Sequence, residues 1–423
     1  MIAKYGLGYL FVAALVVAAA VVAIPAINYT NATTAISLEA AICAFVLMAI
    51  TQVLAMRLKI VEHAFGGLDQ VYVAHRRLGY AILALIVVHY ILTPNFTGLF
   101  QSKERNELAK LVGYYTFFVF CGLIAFSMIK RIPFLKFSFP YNLWYFTHRF
   151  IGFAFFAIAF HQYFVKKPFD QTEAIAYVLN FASLVGILAY VYTQTLAVFR
   201  KKDYRVVSVE RHPAATVITA RPIGGRLKLR PGQFVIIHAR RSRLREPHPF
   251  TASRIGSDGS ITISVKPLGD YTQRLRETIA VGDILRVEGG YGHFDFRKGN
   301  RSQIWIAGGI GVTPFSAMAG ELEKHPDINV SMIYCVRDEA EAINLDMFKA
   351  LDAKLENFNF VLHASAESGR LDAEKLVKAA HVRPAQADFW FCGPSPLRQA
   401  LVRGLAKAGE KPRAVKFEQF EFR

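Results

Sequence analysis

The sequence predicts a membrane all-α six-helix bundle, followed by an antiparallel β-barrel domain and an α/β nucleotide-binding domain. Three observations carry that prediction. Six apolar stretches, each near the roughly 20 residues a helix needs to cross a bilayer, all lie before residue 200. Residues 204–297 alternate apolar and polar positions in short runs broken by Pro and Gly, the pattern of a small antiparallel barrel. From Gln303 the pattern becomes strand, glycine turn and helix, as in a parallel sheet that binds a nucleotide. The expected domains are residues 1–200, 201–298 and 299–423.

The apolar stretches run over 5–27, 35–56, 71–92, 111–129, 143–164 and 174–199. Loop charge orients them, because basic residues stay on the cytoplasmic side. Arg57, Lys59, Arg76 and Arg77 flank the second connection, Lys130, Arg131 and Lys136 the fourth, and Arg200, Lys201, Lys202 and Arg205 follow the last helix. The remaining loops hold fewer basic residues, partly offset by Glu104, Glu107, Asp170 and Glu173. Both termini are therefore expected in the cytoplasm, and a bacterial inner membrane is the expected location.

A net charge of +18 raises the possibility of nucleic-acid binding, but the excess is spread. There are 15 basic and 7 acidic residues up to position 200, and 35 and 25 after it. Juxtamembrane basic residues facing anionic lipid, together with a nucleotide-binding surface, account for it. No basic run or nucleic-acid motif supports the alternative. Cys43, Cys121, Cys335 and Cys392 form no CxxC and point to neither a disulfide framework nor a zinc site. No cleavable signal stands apart from the first apolar stretch.

Four of the twelve histidines fall in the apolar stretches as two pairs, His75 with His89 and His148 with His161. Imidazole is costly in hydrocarbon without a partner, so such histidines mark a functional site by default, and neutral imidazole is a common axial ligand of haem iron. Fourteen residues separate His75 from His89, a rise of roughly 21 Å with the two side chains about 40° apart on one face. The third and fifth stretches run in the same direction. His75 is therefore expected to pair with His148 at the inner haem, and His89 with His161 at the outer. The thirteen-residue spacing of His148 and His161 turns them about 140° apart on an ideal helix, so a local distortion near Gly152 is expected. One such histidine is as readily interhelical hydrogen-bonding glue; four matched in depth on two parallel helices favour the haems. Arg76, Arg77 and Arg149 lie beside the inner ligands, where they suit haem propionates or the positive-inside pattern equally. His63 reads as a surface residue.

The soluble half carries Arg230-Pro-Gly-Gln-Phe234, His248-Pro-Phe-Thr-Ala-Ser-Arg254, Gly269-Asp-Tyr-Thr272 and Glu288-Gly-Gly-Tyr-Gly292. Next come Ile304-Trp-Ile-Ala-Gly-Gly-Ile-Gly-Val-Thr-Pro-Phe315, Met332-Ile-Tyr-Cys-Val-Arg337 and Phe389-Trp-Phe-Cys-Gly-Pro-Ser395. Glycines at a strand end let backbone approach a diphosphate, and the following helix N-terminus offers unpaired N–H groups to it. A lone glycine turn is weak evidence; three successive strand ends of this kind are much more specific.

Together these motifs resemble the NADPH oxidase and ferric reductase superfamily over nearly the whole chain, in particular its prokaryotic NADPH oxidases without regulatory extensions. The resemblance implies two b-type haems with bis-histidine ligation, FAD, and NADPH with NADH possible. The same one-residue difference in histidine spacing occurs in the family. His248, Pro249, Phe250 and Thr251 look like its flavin-binding segment, with Thr251 near the isoalloxazine. Arg254 and the turn of Gly269, Asp270, Tyr271 and Thr272 resemble the parts that hold the FAD diphosphate. Gly308, Gly309, Gly311, Thr313 and Pro314 look like the nicotinamide nucleotide turn. Cys392, Gly393 and Pro394 resemble the segment beside the nicotinamide, and Phe420 the aromatic ring that stacks on the flavin. Thr251, Cys392 and Phe420 are thus the residues expected nearest the reacting atoms, although Phe417, Phe420 and Phe422 also alternate as core residues of a terminal strand would. Arg337 is placed to meet a 2′-phosphate. Cys335 and Cys392 read as packing or nicotinamide-proximal residues rather than nucleophiles.

A nicotinamide gives two electrons together and haem iron takes one at a time, so a flavin must stand between them. The cofactors carry the redox steps while the protein positions and tunes them. The expected path runs from NADPH through FAD and the inner and outer haems to an extracytoplasmic acceptor. With both axial positions held by histidine, dioxygen would be reduced at the haem edge and released as superoxide. Animal NADPH oxidases carry an outer-side arginine on the second helix and a histidine one turn beyond the outer ligand of the third. Here the second stretch has no outer arginine and Thr93 stands past His89. A ferric or other metal-chelate reductase, or a donor to a quinone or periplasmic protein, is the alternative. No EF-hand or proline-rich tail appears, so no obligatory cytosolic activator is expected.

Overall fold

A computed structural model describes the chain apart from residues 1, 100, 129–130, 133–136, 139–140, 242–243 and 419–423. It divides into two compact units, Met1–Val198 and Phe199–Arg423.

The first unit holds six helices long and apolar enough to cross a membrane. They are α1 (Ile2–Ile27), α2 (Ala32–Ala55), α4 (Leu68–Ile91), α5 (Lys103–Met128), α6 (Tyr141–Phe164) and α7 (Ala174–Gln194), with a short α3 (Lys59–Phe65) after α2. A ribbon of β1 (Arg131–Ile132) antiparallel to β2 (Phe137–Ser138) precedes α6. Asn31 caps α2 by accepting a 2.8 Å hydrogen bond from the Thr34 amide, the usual service of an Asn side chain at a helix start. Helix α5 begins at Lys103, well before its apolar run. Its polar first turns are supported by Glu104 at the positive end of the helix dipole and by a 2.8 Å Lys110–Glu107 pair. Hydropathy alone does not see such turns.

Helix α2 is the hub of this unit, with buried residues from Thr34 to Leu54, and Phe45 stacks on Phe155 of α6 at 5.3 Å between ring centroids. Leu10, Phe11 and Val17 on α1, Phe118 and Val119 on α5, Phe146 and Phe153 on α6, and Phe181 and Leu188 on α7 are exposed. Apolar surface spread over the outer faces of long helices whose backbone bonds are internally satisfied is what a bilayer covers. Near Gly152, where a local distortion is expected from the spacing, α6 continues without interruption. Gly152 instead admits the Tyr190 ring of α7, which any Cβ would overlap.

The second unit opens with a closed antiparallel barrel, the order being β3-β4-β7-β6-β5-β8. Its strands are β3 (Lys202–Arg211), β4 (Thr216–Ile223), β5 (Phe234–Ala239), β6 (His248–Ile255), β7 (Ile261–Val265) and β8 (Ile284–Tyr291), with α8 (Asp270–Thr278) inserted before β8. Tyr204, Val206, Ile218, Val235, Ile237, Ile263 and Val287 fill the barrel. A five-stranded parallel sheet follows, in the order β11-β10-β9-β12-β13. It comprises β9 (Ser302–Gly308), β10 (Asn329–Val336), β11 (Phe358–Ala364), β12 (Asp388–Cys392) and β13 (Ala414–Phe417). The helices are α9 (Thr313–Leu322), α10 (Leu345–Lys354), α11 (Ser365–Ser368), α12 (Ala373–Ala379) and α13 (Ser395–Lys407). Successive residues of β9 enter opposite cores: Trp305 packs with Phe315, Met332 and Trp390, while Ile304 and Ile306 pack with Phe389, Phe391 and Leu401. Burial on both faces explains why these strands read as continuous apolar runs rather than alternating ones. The expected barrel and parallel sheet are both present.

Candidate functional site

In the membrane unit, His75 and His89 lie on α4, and His148 and His161 on α6. The rings of His75 and His148 face each other with centroids 6.0 Å apart. Two imidazoles bound to one metal from opposite sides sit at about that separation, given metal–nitrogen bonds of roughly 2.0–2.1 Å. His89 and His161 are within electrostatic range of one another. Among the described residues no cluster of three or more His, Cys, Asp or Glu would bind a bare metal ion. Donors that come in facing pairs suit an axially ligated haem instead.

The second ring nitrogens supply the stronger test of fit. The Ser127 hydroxyl donates to the Leu123 carbonyl, so its oxygen accepts the Nδ1 proton of His148 at 3.0 Å. His161 Nδ1 donates to the Ala109 carbonyl at 2.8 Å, and His89 Nδ1 lies 3.1 Å from the Ser37 carbonyl and 3.0 Å from its hydroxyl. His75 is hydrogen-bonded to the Thr51 backbone. A proton fixed on Nδ1 leaves the Nε2 lone pair of His89, His148 and His161 for a metal and holds each ring in place, the usual support of a metal-bound histidine. The braces are regular. Ser127 and Ala109 are eighteen residues apart, five full turns of α5, so one stripe of α5 holds both histidines of α6. Ser37 and Thr51 of α2 are fourteen apart, matching the spacing of His75 and His89 on α4. Gly113 completes the outer site, since a Cβ there would overlap the His161 ring. Ser127→Ala is expected to weaken haem retention roughly 10–100-fold, the usual range for a lost outer-shell partner, while the protein still folds; titration of haem into the haem-depleted variant measures it.

In the second unit, His248, Pro249, Phe250 and Thr251 open β6, paired across to β5 with Thr251 opposite Phe234. The His248 ring stacks on Tyr271 at 3.8 Å, which joins this segment to the Gly269–Thr272 turn. That turn is the N-terminus of α8, where Thr272 Oγ1 accepts from the Leu268 and Gly269 amides at 2.9 and 3.0 Å. Burial takes the His248 imidazole down to about 4 and pushes the Tyr271 phenol well up, so both stay neutral at physiological pH. Arg254 is exposed and makes no ion pair among the described residues.

Gly308, Gly309, Gly311, Thr313 and Pro314 form the turn from β9 into α9, with Pro314 in the first turn of that helix, a position that wastes no donor. From β9 the chain runs outward through β10 and β11 on one side, then returns to form β12 and β13 on the other, and ligands of parallel sheets bind at such a switch point. There the turn packs backbone to backbone against Cys392, Gly393 and Pro394 at the end of β12. A Cβ on Gly311 would overlap the Cys392 carbonyl, and one on Gly308 would come within 2.8 Å of Pro394. Arg337 follows β10 at the same edge, exposed, 3.7 Å from Asp338. Burial pushes the Cys335 thiol up to about 12 and the Cys392 thiol well up, the latter helped by the charge of Glu418. Neither forms a thiolate at neutral pH, which leaves both inert as nucleophiles.

Glu418 opens the C-terminal segment Glu418-Gln-Phe420 that resembles the family's flavin-stacking segment, in which the resemblance assigns a role to Phe420 alone. It is 9% exposed, and Thr251 Oγ1 donates to its Oε2 across a long 3.5 Å, so the barrel motif, the β12 loop and the C-terminal segment meet there. Phe420 lies outside the described residues.

Three family profiles match. Residues 40–159 match "Ferric reductase like transmembrane component", 202–299 "FAD-binding domain" and 305–403 "Oxidoreductase NAD-binding domain". The chain is 25% identical over 196 residues to the toluate 1,2-dioxygenase electron transfer component of Pseudomonas putida, covering 45% of this chain and 58% of that one. It is 30% identical over 140 residues to NADPH oxidase 4 of Rattus norvegicus, 29% of this chain and 24% of that one. The chain thus spans just over half the length of the first relative and a quarter of the second. A flavohemoglobin structure from Malassezia yamatoensis aligns over 94% of this chain and 98% of its own at 20% identity and a TM-score of 0.49. The chain thus carries a ferric-reductase-like transmembrane component followed by FAD-binding and oxidoreductase NAD-binding domains, the make-up of an oxidoreductase similar to ferric reductases and NADPH oxidases.

Proposed function

We propose that this protein carries electrons from cytosolic NADPH, through FAD and two bis-histidine b-type haems, to dioxygen on the outer face of a bacterial inner membrane, with release of superoxide. Both termini face the cytoplasm in this reading. The observation that carries it is the facing pair of His75 and His148, with His89 and His161 near each other as a second pair and all four rings braced by hydrogen bonds from α2 and α5. Held in these sites, the nicotinamide would supply a two-electron hydride, the flavin would divide it, and haem iron would take single electrons.

The chain's own contribution is placement. His75 with His148 and His89 with His161 would hold the two irons, the Nε2 atoms of His89, His148 and His161 freed by the Ser37, Ser127 and Ala109 partners and the His75 ring held by the Thr51 backbone. His248 to Thr251, Arg254 and the α8 N-terminus bind FAD, and Phe420 covers its ring. The β9–α9 turn and the Cys392-Gly-Pro394 loop receive the nicotinamide nucleotide, with its anionic groups against backbone N–H donors. Arg337 meets the 2′-phosphate. Arg337→Ser is accordingly expected to raise KM for NADPH roughly tenfold, one charge-assisted hydrogen bond's worth, while KM for NADH stays within twofold; steady-state kinetics with both nucleotides measure it.

A metal-chelate reductase is the second reading. Thr93 past His89, with its hydroxyl turned back 3.0 Å to the Tyr90 carbonyl, and Glu39 rather than an arginine in the outer half of α2 favour it. The test uses detergent-purified protein with FAD and NADPH in the absence of oxygen, followed by air. Prompt haem reduction, then fast reoxidation with superoxide formation, is the expected result. Reduction that persists in air until a ferric chelate is added assigns the metalloreductase, and a haem that never reduces overturns the electron path.

A further inference from the structure

The outer end of the membrane unit contains a lysine with no counter-ion among the described residues. Residues 165–173 join α6 to α7, and they are pinned to the α4–α5 loop by a two-bond bridge. The Leu99 amide donates to the Lys167 carbonyl at 2.8 Å, and the Lys167 amide to the Leu99 carbonyl at 3.0 Å. The adjacent Lys166 is fully engaged: its ammonium donates to the Phe96 carbonyl at 2.7 Å, and its amide to Asn106 Oδ1 at 2.7 Å. The backbone that presents Lys167 is therefore fixed.

The Lys167 side chain differs. The residue is 8% exposed, and its ammonium has neither a hydrogen-bond acceptor nor a carboxylate among the described residues. The faces of Tyr163 and Phe169, each 5.6 Å away, are its cation–π contacts. Aromatic faces offset only part of the cost of removing a cation from water, and an unpaired buried charge is among the costliest groups a fold retains. Burial already brings this ammonium down to about 8. Its charge reaches the ring of His161. Next to that histidine, Gln162 is 9% exposed and both atoms of its amide lack partners among the described residues. Two polar side chains with unmet bonding capacity thus flank one proposed iron ligand, at one end of the unit.

We propose that Lys167 is the counter-charge of a carboxylate on the outer haem, a positioning residue that holds that group and raises its affinity for an electron. This rests on the haem assignment above. A cation close to a redox centre in a low-dielectric setting favours the form carrying the extra electron, so Lys167 would make the outer site the downhill end of the path. Lys167 acts electrostatically on His161 and not on His75 or His148, which have Arg76, Arg77 and Arg149 beside them in sequence, so removing its charge should affect one centre alone.

The test is an anaerobic redox titration of the full-length protein, resolving the two haem components and assigning the outer one by its loss in His161→Ala. Lys167→Gln should lower the midpoint of that component alone, and Lys167→Arg should restore it. Wild-type protein reconstituted with haem dimethyl ester, whose carboxylates are neutral, should show the same lowered midpoint, and adding Lys167→Gln should then change nothing. That arm also decides the matter if Lys167→Gln alone retains too little haem. Unchanged midpoints, an equal shift of both, or independent additive shifts from the ester and the substitution would overturn the proposal. Unchanged midpoints with a raised KM for an anionic ferric chelate would overturn it in favour of a charge that meets substrate. A wild-type protein without two haem components would instead remove the proposed function on which it stands.

Discussion

His148→Ala is expected to halve the haem content and stop electrons at the reduced flavin. His148 faces His75 at 6.0 Å, and its Nδ1 is tied to Ser127, which leaves its Nε2 without a hydrogen bond among the described residues and as the atom proposed to ligate. Removing the imidazole leaves an iron with one protein bond, and bis-histidine haem without covalent attachment is released when half of its axial support goes. His75→Ala should do the same from the other side. His161→Ala and His89→Ala should remove the other haem yet spare reduction of the remaining one by NADPH, a kinetic difference that sequence position alone would not demand. Haem is counted as the pyridine complex, and added imidazole, small enough to enter the vacated space, should return part of it. Full haem content in the alanine variants would refute the ligand assignment, whatever the turnover.

What could be read from the residues and what could not divides along a physical line. Hydropathy over about 20 residues exposes a membrane helix, and a histidine inside one is conspicuous because water is absent. The braces of those histidines are ordinary by contrast. Ser37, Thr51 and Ser127 are small polar residues that any membrane helix tolerates, and Ala109 contributes only a carbonyl. A spacing of fourteen on α2 that copies the spacing on α4 is a usable signal, but only once the two helices are known to pack together. Gly152 has a role that spacing does not reveal. An ideal-helix angle of about 140° points to a local distortion there, whereas the structure shows that its missing side chain makes room for the Tyr190 ring in an unbroken α6. The meeting of Thr251 with Glu418 spans 167 residues of sequence and follows from the closure of the barrel against the parallel sheet, which no local pattern encodes. Lys167 is one of the few basic residues in the loops expected on the outer side, and only its burial sets it apart.

Gly311→Ala is expected to reduce the rate of flavin reduction by NADPH about 100-fold while leaving FAD and haem content near wild type. The argument is steric and local. A Cβ at position 311 would overlap the carbonyl of Cys392 and stand 2.9 Å from the Gly393 amide nitrogen. Both are backbone atoms of a parallel strand end, with Cys392 paired to Ala307 in the adjacent strand, so no flexible side chain can swing aside. The two loops must separate, and they are the two proposed to hold the nucleotide and aim its nicotinamide. A displacement of about 1 Å in a positioning element is enough for a 100-fold loss. The barrel, with Thr251, His248 and the α8 turn, lies outside that contact, and the histidine pairs lie in the other unit. Dithionite should therefore still reduce the haems in full, and stopped-flow flavin bleaching should separate the hydride step from everything downstream. Wild-type bleaching rates in this variant would mean that the nicotinamide binds away from the β9–β12 edge, and Cys392, Gly393 and Pro394 would lose their proposed role together with the glycine turn.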